Sequence, residues 1–174
     1  DLTCVDGAET FCRALSERHP GVHVECNLLE QYGPTRTFDN IVLGHVLEHV
    51  EDPVTILARA KTWLSANGRI FASVPNARSL HRQMAVVMNL LPTEDSLNAV
   101  DLHHGHRRVY NPESFRRDFR AAGLHVELFG GYWIKPVANA HLEAHWTPDM
   151  IEAAMAAGER YPDIAAEIYV VARH

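Results

Sequence analysis

The feature that most constrains how this chain can fold is a regular alternation of short apolar runs with segments of helical periodicity. The run Phe38–Gly44, FDNIVLG, has the β-branched composition that is typical of a parallel strand covered on both faces. Strands that alternate with helices need crossover connections, and such connections produce a mostly parallel sheet with helices on both faces. The alternation therefore predicts an α/β fold.

Periodicity places the individual elements along the 174 residues. It predicts strands at 2–5, 22–26, 38–44, 69–74, 124–130 and 165–173, and helices at 8–19, 54–64, 78–91, 112–123 and 147–161. Asn67 and Gly68 are expected to close a turn before the fourth strand. Residues 92–111 show neither period, so we expect an irregular lid or active-site loop there, within a candidate insertion at 77–111 of a single domain, 1–174.

Composition excludes several classes of protein. The formal charge of −6 argues against a broad nucleic-acid surface, and no apolar run approaches the roughly 20 residues of a membrane span. Three cysteines without C-x-x-C spacing (Cys4, Cys12, Cys26) favour a reduced, cytoplasmic setting. The expected partner is a small molecule, with neither nucleic acid nor membrane, and a homodimer is left open.

Ligands of such sheets bind beyond the carboxyl ends of the strands, so the residues that follow each strand are the first candidates. Asp6 ends the first strand and could accept the hydroxyl protons of a ribose, or could be an ordinary turn residue. Asn27 ends the second strand, where its amide could meet an adenine edge. Gly44 ends the third strand and has no Cβ to obstruct a ligand.

Histidines form two polar clusters. GHVLEH at 44–49 contains H-x-x-E-H, the pattern of inverted zinc metalloproteases, but that pattern needs a continuous helix, and here it directly follows a strand. DLHHGHRRVY at 101–110 offers His103, His104 and His106, and a neutral imidazole suits a general base or a metal ligand. A solvated polar loop is the alternative explanation of the second cluster.

Taken in order, these segments resemble class I S-adenosylmethionine-dependent methyltransferases. LTCVDGAETF resembles the strand whose terminal acid binds the cofactor ribose, and VECNLLE the strand end that holds adenine. FDNIVLGHVLEHVEDPVTILARAKTWLSANGRIFASVPN is similar to the stretch beside the cofactor methionine. The resemblance implies a Rossmann-like sheet with an antiparallel last strand, and S-adenosylmethionine as the cofactor, leaving S-adenosylhomocysteine. The cofactor-binding positions that it implies are Asp6, Gly7, Asn27, Leu28, Gly44 and His45.

The family's first strand and its G-x-G-x-G turn have no counterpart here, so we expect the chain to lack the first βα unit, about 40 to 60 residues. Subgroups that methylate hydroxyls of small molecules, sugars and quinone precursors share HVLEHV, VPN and HHGHRRVYNPESF in the same order. Transfer of a methyl group to a hydroxyl of a sugar-like or secondary-metabolite acceptor is thus the expected reaction. For it we predict His106 as base, assisted by His49 or His104.

Similarity extends to small-RNA 2′-O-methyltransferases, which use Glu-x-x-Glu-His and a later His to hold a divalent metal. Glu48, His49 and His106 match that pattern, but His45 replaces the first Glu and removes a hard oxygen ligand. No metal ligand is therefore assigned, although a divalent metal stays open. Two alternatives also stay open: a non-catalytic methyltransferase-like binding module, and a metal-dependent hydrolase that uses His45, Glu48 and His49.

Overall fold

The computed structural model describes residues 1–142 and 145–174. They form two compact units, 1–37 and 38–174. The prediction of a single domain with a lid at 77–111 stays a prediction.

The first unit is a βαβ arrangement. It consists of β1 (Thr3–Asp6), α1 (Glu9–Arg18) and β2 (His23–Cys26). β1 and β2 pair in parallel, with Asp6 opposite Cys26, so both strands end at the same edge. Cys12 is the buried residue of α1, whereas its neighbour Phe11 is half exposed.

The second unit contains a four-stranded sheet in the order β3-β4-β6-β5. Its strands are β3 (Phe38–Gly44), β4 (Leu64–Pro75), β5 (His125–Tyr132) and β6 (Glu167–Arg173). β3 pairs with β4 in parallel, while β6 is antiparallel to both β4 and β5. Three strands thus share one direction and the last strand opposes them, which confirms the predicted mostly parallel sheet with an antiparallel last strand.

Six helices accompany this sheet in the described part of the second unit. They are α2 (Pro53–Thr62), α3 (Leu80–Val87), α4 (Ala99–His103), α5 (Pro112–Ala121), α6 (Asn139–Leu142) and α7 (Pro148–Arg160), with a 3-10 turn at Pro162–Ile164. Side-chain caps explain where three of them begin. Asp52 accepts the Thr55 amide, Asn111 forms a capping box with Ser114, and Thr147 accepts the Met150 amide.

Three local predictions were wrong. The turn expected at Asn67 and Gly68 lies inside β4, because β4 begins at Leu64 and a register irregularity against β3 absorbs the extra residues. The helix expected at 78–91 is shorter, since Asn89 adopts a φ of 58° beyond its end. The segment expected to be irregular, 92–111, contains α4, whose start is fixed by a capping box between Asn98 and Asp101.

The core of the second unit lies between the sheet and the helices. Ile70, Val74, Ile168 and Val170 alternate inward along β4 and β6, and Leu57, Phe115 and Phe119 meet them from α2 and α5. No helix in the described ranges is both long and apolar enough to cross a membrane.

Candidate active site

In the first unit, the predicted cofactor residues lie together at the carboxyl edge of β1 and β2. The backbone N–H of Asn27 donates to the backbone carbonyl of Asp6 at 3.0 Å, and Asp6 Oδ1 accepts the backbone N–H of Ala8 at 2.7 Å. A Cβ on Gly7 would lie 2.6 Å from Leu28 Cδ2, the end of a half-exposed side chain that is free to shift, so packing in this unit does not require glycine. Asp6, Gly7, Asn27 and Leu28 are therefore neighbours, and one oxygen of Asp6 already closes a turn.

In the second unit, Gly44 and His45 form the carboxyl end of β3. A Cβ on Gly44 would meet only Ser73 Oγ, at 3.9 Å, so packing within the described protein does not require glycine there. His45 has a φ of 54°, in the left-handed region that non-glycine residues rarely occupy. Its amide donates to the Ser73 carbonyl at 2.9 Å, which ties the strained residue to β4.

The H-x-x-E-H sequence forms successive turns rather than a helix. The His49 amide donates to the Val46 carbonyl, which closes one of these turns. Glu48 is fully buried there, while His45 remains exposed. The helical geometry of the inverted metalloproteases is thus absent from these residues.

Two arginines hold this turn segment. Arg108 donates to the carbonyls of Leu47 and Val50 at 2.9 and 2.6 Å. The Arg107 amide donates to the Glu48 carbonyl at 2.8 Å. Buried carbonyl groups need donors, and the arginines that supply them directly follow His106. The same contacts therefore bring His106 beside Glu48 and His49.

Glu48 is the centre of the polar cluster. Its Oε1 lies 3.1 Å from His45 Nδ1 and 4.0 Å from His49 Nε2. Its other oxygen, Oε2, is buried and has no hydrogen-bond partner among the described residues. A buried polar atom without a partner costs free energy, so this oxygen is a ready acceptor for a ligand.

A second carboxyl group lies on the far side of His45. His45 Nε2 is 3.9 Å from Glu167 Oε2, at the start of β6. The hydrogen bond with Glu48 raises the pKa of His45. Burial raises the pKa of Glu167 to about 7, although the charges of His45 and Lys135 oppose this.

His106 lies beside His49 in the same cluster. Its ring meets the His49 ring edge-on, with centroids 4.8 Å apart, whereas the exposed His104 ring is 6.1 Å away. Burial lowers the pKa of His106, and the nearby His49 adds to this while Glu48 opposes it, so the surroundings favour the neutral imidazole. A neutral imidazole can accept a proton.

Three of these residues could hold a divalent metal. Glu48, His49 and His106 each offer one ligand atom, and these atoms lie within 4.8 Å of one another. The unpartnered Oε2 of Glu48 fits such a role. One carboxylate and two imidazoles form a donor set that suits Zn²⁺ or Fe²⁺ better than Mg²⁺.

Sequence reasoning missed two residues of the site, Glu167 and Asp101. Glu167 is the one acidic residue in the mainly apolar strand sequence AAEIYVVAR, and this exception was the available signal. Asp101 lies 3.4 Å from His106 Nδ1 through its Oδ1. It follows Asn98 by three residues, which is the spacing of a capping box.

The fold is that of a class I S-adenosylmethionine-dependent methyltransferase domain. The Mesorhizobium loti S-adenosylmethionine-dependent methyltransferase has a similar structure, with a TM-score of 0.66 and 16% identity over 99% of this chain and 79% of its own. The plantazolicin methyltransferase BpumL, in complex with a triazolic desmethylPZN analog and SAH, is also similar. Its TM-score is 0.63 and its identity 13%, over 99% of this chain and 66% of its own. Residues 5–128 match the methyltransferase domain family, and the chain belongs to that family.

Curated relatives share part of the sequence. The ubiquinone biosynthesis O-methyltransferase of Aeromonas salmonicida is 29% identical over 103 residues, which are 59% of this chain and 42% of that protein. The protein of the same name from Ralstonia nicotianae is 24% identical over 148 residues, 82% of this chain and 52% of that protein. The chain thus spans about half the length of these relatives.

Proposed function

We propose that this chain belongs to an enzyme that transfers the methyl group of S-adenosylmethionine to a hydroxyl of a small molecule, with His106 as the general base. The observation that carries this proposal is the cluster of His106, His49 and the fully buried Glu48 in the second unit. Membership of the methyltransferase domain family supplies the reaction class.

The chemistry is a direct displacement at the methyl carbon. The acceptor oxygen forms a bond to that carbon, the bond from carbon to the sulfonium sulfur breaks, and S-adenosylhomocysteine leaves. The hydroxyl proton passes to the imidazole of His106. Positioning of the two reactants supplies most of the acceleration, and the base contributes about 10² to 10⁴-fold.

A hydroxyl acceptor is supported by the relatives, which are named O-methyltransferases. A sugar-like or secondary-metabolite acceptor remains our proposal. For the cofactor we propose two groups of contacts. Asp6, Gly7, Asn27 and Leu28 are proposed for the nucleoside part, and Gly44 with His45 for the methionine part.

A divalent metal is a second candidate component of the same site. Glu48, His49 and His106 would hold it, and the metal would act as a Lewis acid that lowers the pKa of the acceptor hydroxyl. His106 would then be a ligand instead of a free base. The buried, unpartnered Oε2 of Glu48 is the observation that favours this candidate.

The test is His106→Ala in the intact protein. We expect turnover to fall about 10² to 10⁴-fold, because the proton acceptor is lost, while calorimetry shows unchanged affinity for S-adenosylmethionine. His125→Ala, an exposed histidine on β5, is the matched control and should retain full turnover. Unchanged turnover in His106→Ala would refute the role of His106.

A second experiment, with a chelator, distinguishes a His106 that acts as a base from a His106 that binds a metal. Loss of wild-type turnover in chelator, with recovery on Zn²⁺ or Fe²⁺, would support the metal role of His106. Turnover that is indifferent to chelator would support the base role. Tight cofactor binding without turnover on any hydroxyl acceptor would instead favour the non-catalytic binding module.

A further inference from the structure

We propose that Asp101 is a positioning residue that fixes the tautomer of His106, and that Arg82 holds Asp101 in place for this purpose. The inference rests on the proposed function, in which His106 uses a ring lone pair. Arg82 lies on α3, Asp101 on α4 and His106 in the segment after α4, all within the second unit.

The two oxygens of Asp101 face different groups. Oδ2 accepts the Asn98 amide at 2.9 Å and lies 3.1 Å from Arg82 Nη1. Oδ1 lies 3.4 Å from His106 Nδ1, an atom that is buried and has no hydrogen-bond partner in the described ranges. The two atoms are therefore ion-pair neighbours, and a charge-assisted hydrogen bond between such groups is about 2.7–2.9 Å long.

Arg82 fixes the carboxylate from the other side. Its side chain is 5% exposed, and Nε donates to the Glu94 carbonyl at 2.7 Å. Nη2 donates to the Ser96 carbonyl. The guanidinium is thus bound at three places along 94–101, and its planar fork leaves Asp101 little freedom to turn.

A fixed carboxylate beside Nδ1 selects one tautomer of a neutral imidazole. An ionised carboxylate only accepts hydrogen bonds, so the proton of the ring resides on Nδ1. Nε2 then keeps its lone pair, for the acceptor proton or for a cation. A histidine whose partner nitrogen is oriented in this way is ready to act before the substrate arrives.

Replacement of Asp101 by Asn should reverse the tautomer. Two donors, the backbone N–H of Asn98 and Arg82 Nη1, face the position that Oδ2 of Asp101 occupies. The side-chain oxygen of the new asparagine must therefore take that position. The NH₂ group of the new side chain must then face His106 Nδ1 and donate to it. The ring proton moves to Nε2, and the lone pair that the reaction uses is lost.

The experiment records long-range ¹⁵N correlation spectra of the histidine rings at mildly alkaline pH, with the His106 signal assigned from His106→Gln. The wild-type spectrum should show the proton on Nδ1, and Asp101→Asn should show it on Nε2. Turnover of Asp101→Asn should fall about 10² to 10⁴-fold. The KM for the acceptor should change far less than kcat.

Two controls separate positioning from general structure. Asn98→Ala removes the cap of α4 but keeps the Asp101 carboxylate, and Asp118→Asn changes another buried acid, which binds Tyr110 Oη at 3.2 Å. Both should keep the wild-type tautomer. A proton on Nε2 in the wild type, or in Asn98→Ala, would overturn the proposal, and this holds even if Asp101→Asn does not fold.

The result also separates the positioning role of Asp101 from the base role of His106. If the tautomer reverses in Asp101→Asn while turnover is unchanged, Asp101 positions His106 as proposed, but His106 is not the base. If turnover falls in Asp101→Asn while the tautomer is unchanged, the positioning role is refuted and the role of His106 stands.

Discussion

Glu167→Gln is expected to stabilise the protein near neutral pH. The Glu167 side chain is 15% exposed, and its Oε2 is buried without a hydrogen-bond partner among the described residues. Burial raises its pKa from 4.5 to about 7. Glutamine resembles the protonated acid in shape and polarity but needs no proton, so it removes the cost of keeping this group neutral.

The sign and size of the expected change in the free energy of unfolding follow from the linkage between proton binding and folding. A carboxyl group with a raised pKa in the folded state contributes its full stability below about pH 4.5 and loses it as pH rises to about 7, because the unfolded chain ionises first. At about 1.4 kcal/mol per pKa unit, the shift corresponds to about 3 kcal/mol. The free energy of unfolding of Glu167→Gln, relative to wild type, should therefore rise by about 3 kcal/mol between pH 4.5 and 7 and then level off.

Urea unfolding, followed by tryptophan fluorescence at several pH values, measures this difference. Asp52→Asn is the matched control, since hydrogen bonds from Thr55 lower the pKa of Asp52 and asparagine can still cap α2. Its difference from wild type should be constant above about pH 5, because a lowered pKa acts only in more acidic solution. A difference for Glu167→Gln that is equally constant from about pH 5 to 8 would refute the raised pKa.

Two further substitutions test packing and capping. Gly158→Ala would normally stabilise a helix by about 1 kcal/mol. Here the new Cβ would lie 2.4 Å from backbone atoms of Tyr132 and Trp133, so we expect a loss of about 1–3 kcal/mol by chemical denaturation, and a gain would contradict the packing of α7 on β5. Asn111→Ala removes the acceptor of the Glu113 and Ser114 amides and should cost about 1 kcal/mol in thermal unfolding, whereas an unchanged melting temperature would contradict the cap.

The sequence predicted those elements that depend on interactions between residues close together in the chain. Strand β3 and the helices expected at 112–123 and 147–161 depend on residues a few positions apart, so hydrophobic periodicity was sufficient to predict them. The extended start of β4 was not predictable in this way. Its residues 64–68 pair irregularly with the beginning of β3, and that pairing is a tertiary contact.

The candidate site was predicted in part for the same reason. His49 and His106 were found as polar residues after a strand and within a loop, but their meeting depends on Arg107 and Arg108, which bind the carbonyls of 47–51. A basic pair in a sequence is normally a solvated surface feature. The pattern alone therefore gave no reason to assign these arginines a structural role.

His45 shows how the structure changes the interpretation of a predicted contact. Its ring nitrogens lie 3.1 Å from Glu48 and 3.9 Å from Glu167, and its amide is bound to Ser73. Of the two residues proposed to contact the cofactor methionine, His45 would therefore contribute its backbone carbonyl rather than its ring, and Gly44 would contribute its backbone. The ring instead is hydrogen-bonded to the fully buried side chain of Glu48, and a buried polar group that loses its partner is destabilising. His45→Ala should consequently act on stability through Glu48 before it acts on cofactor binding.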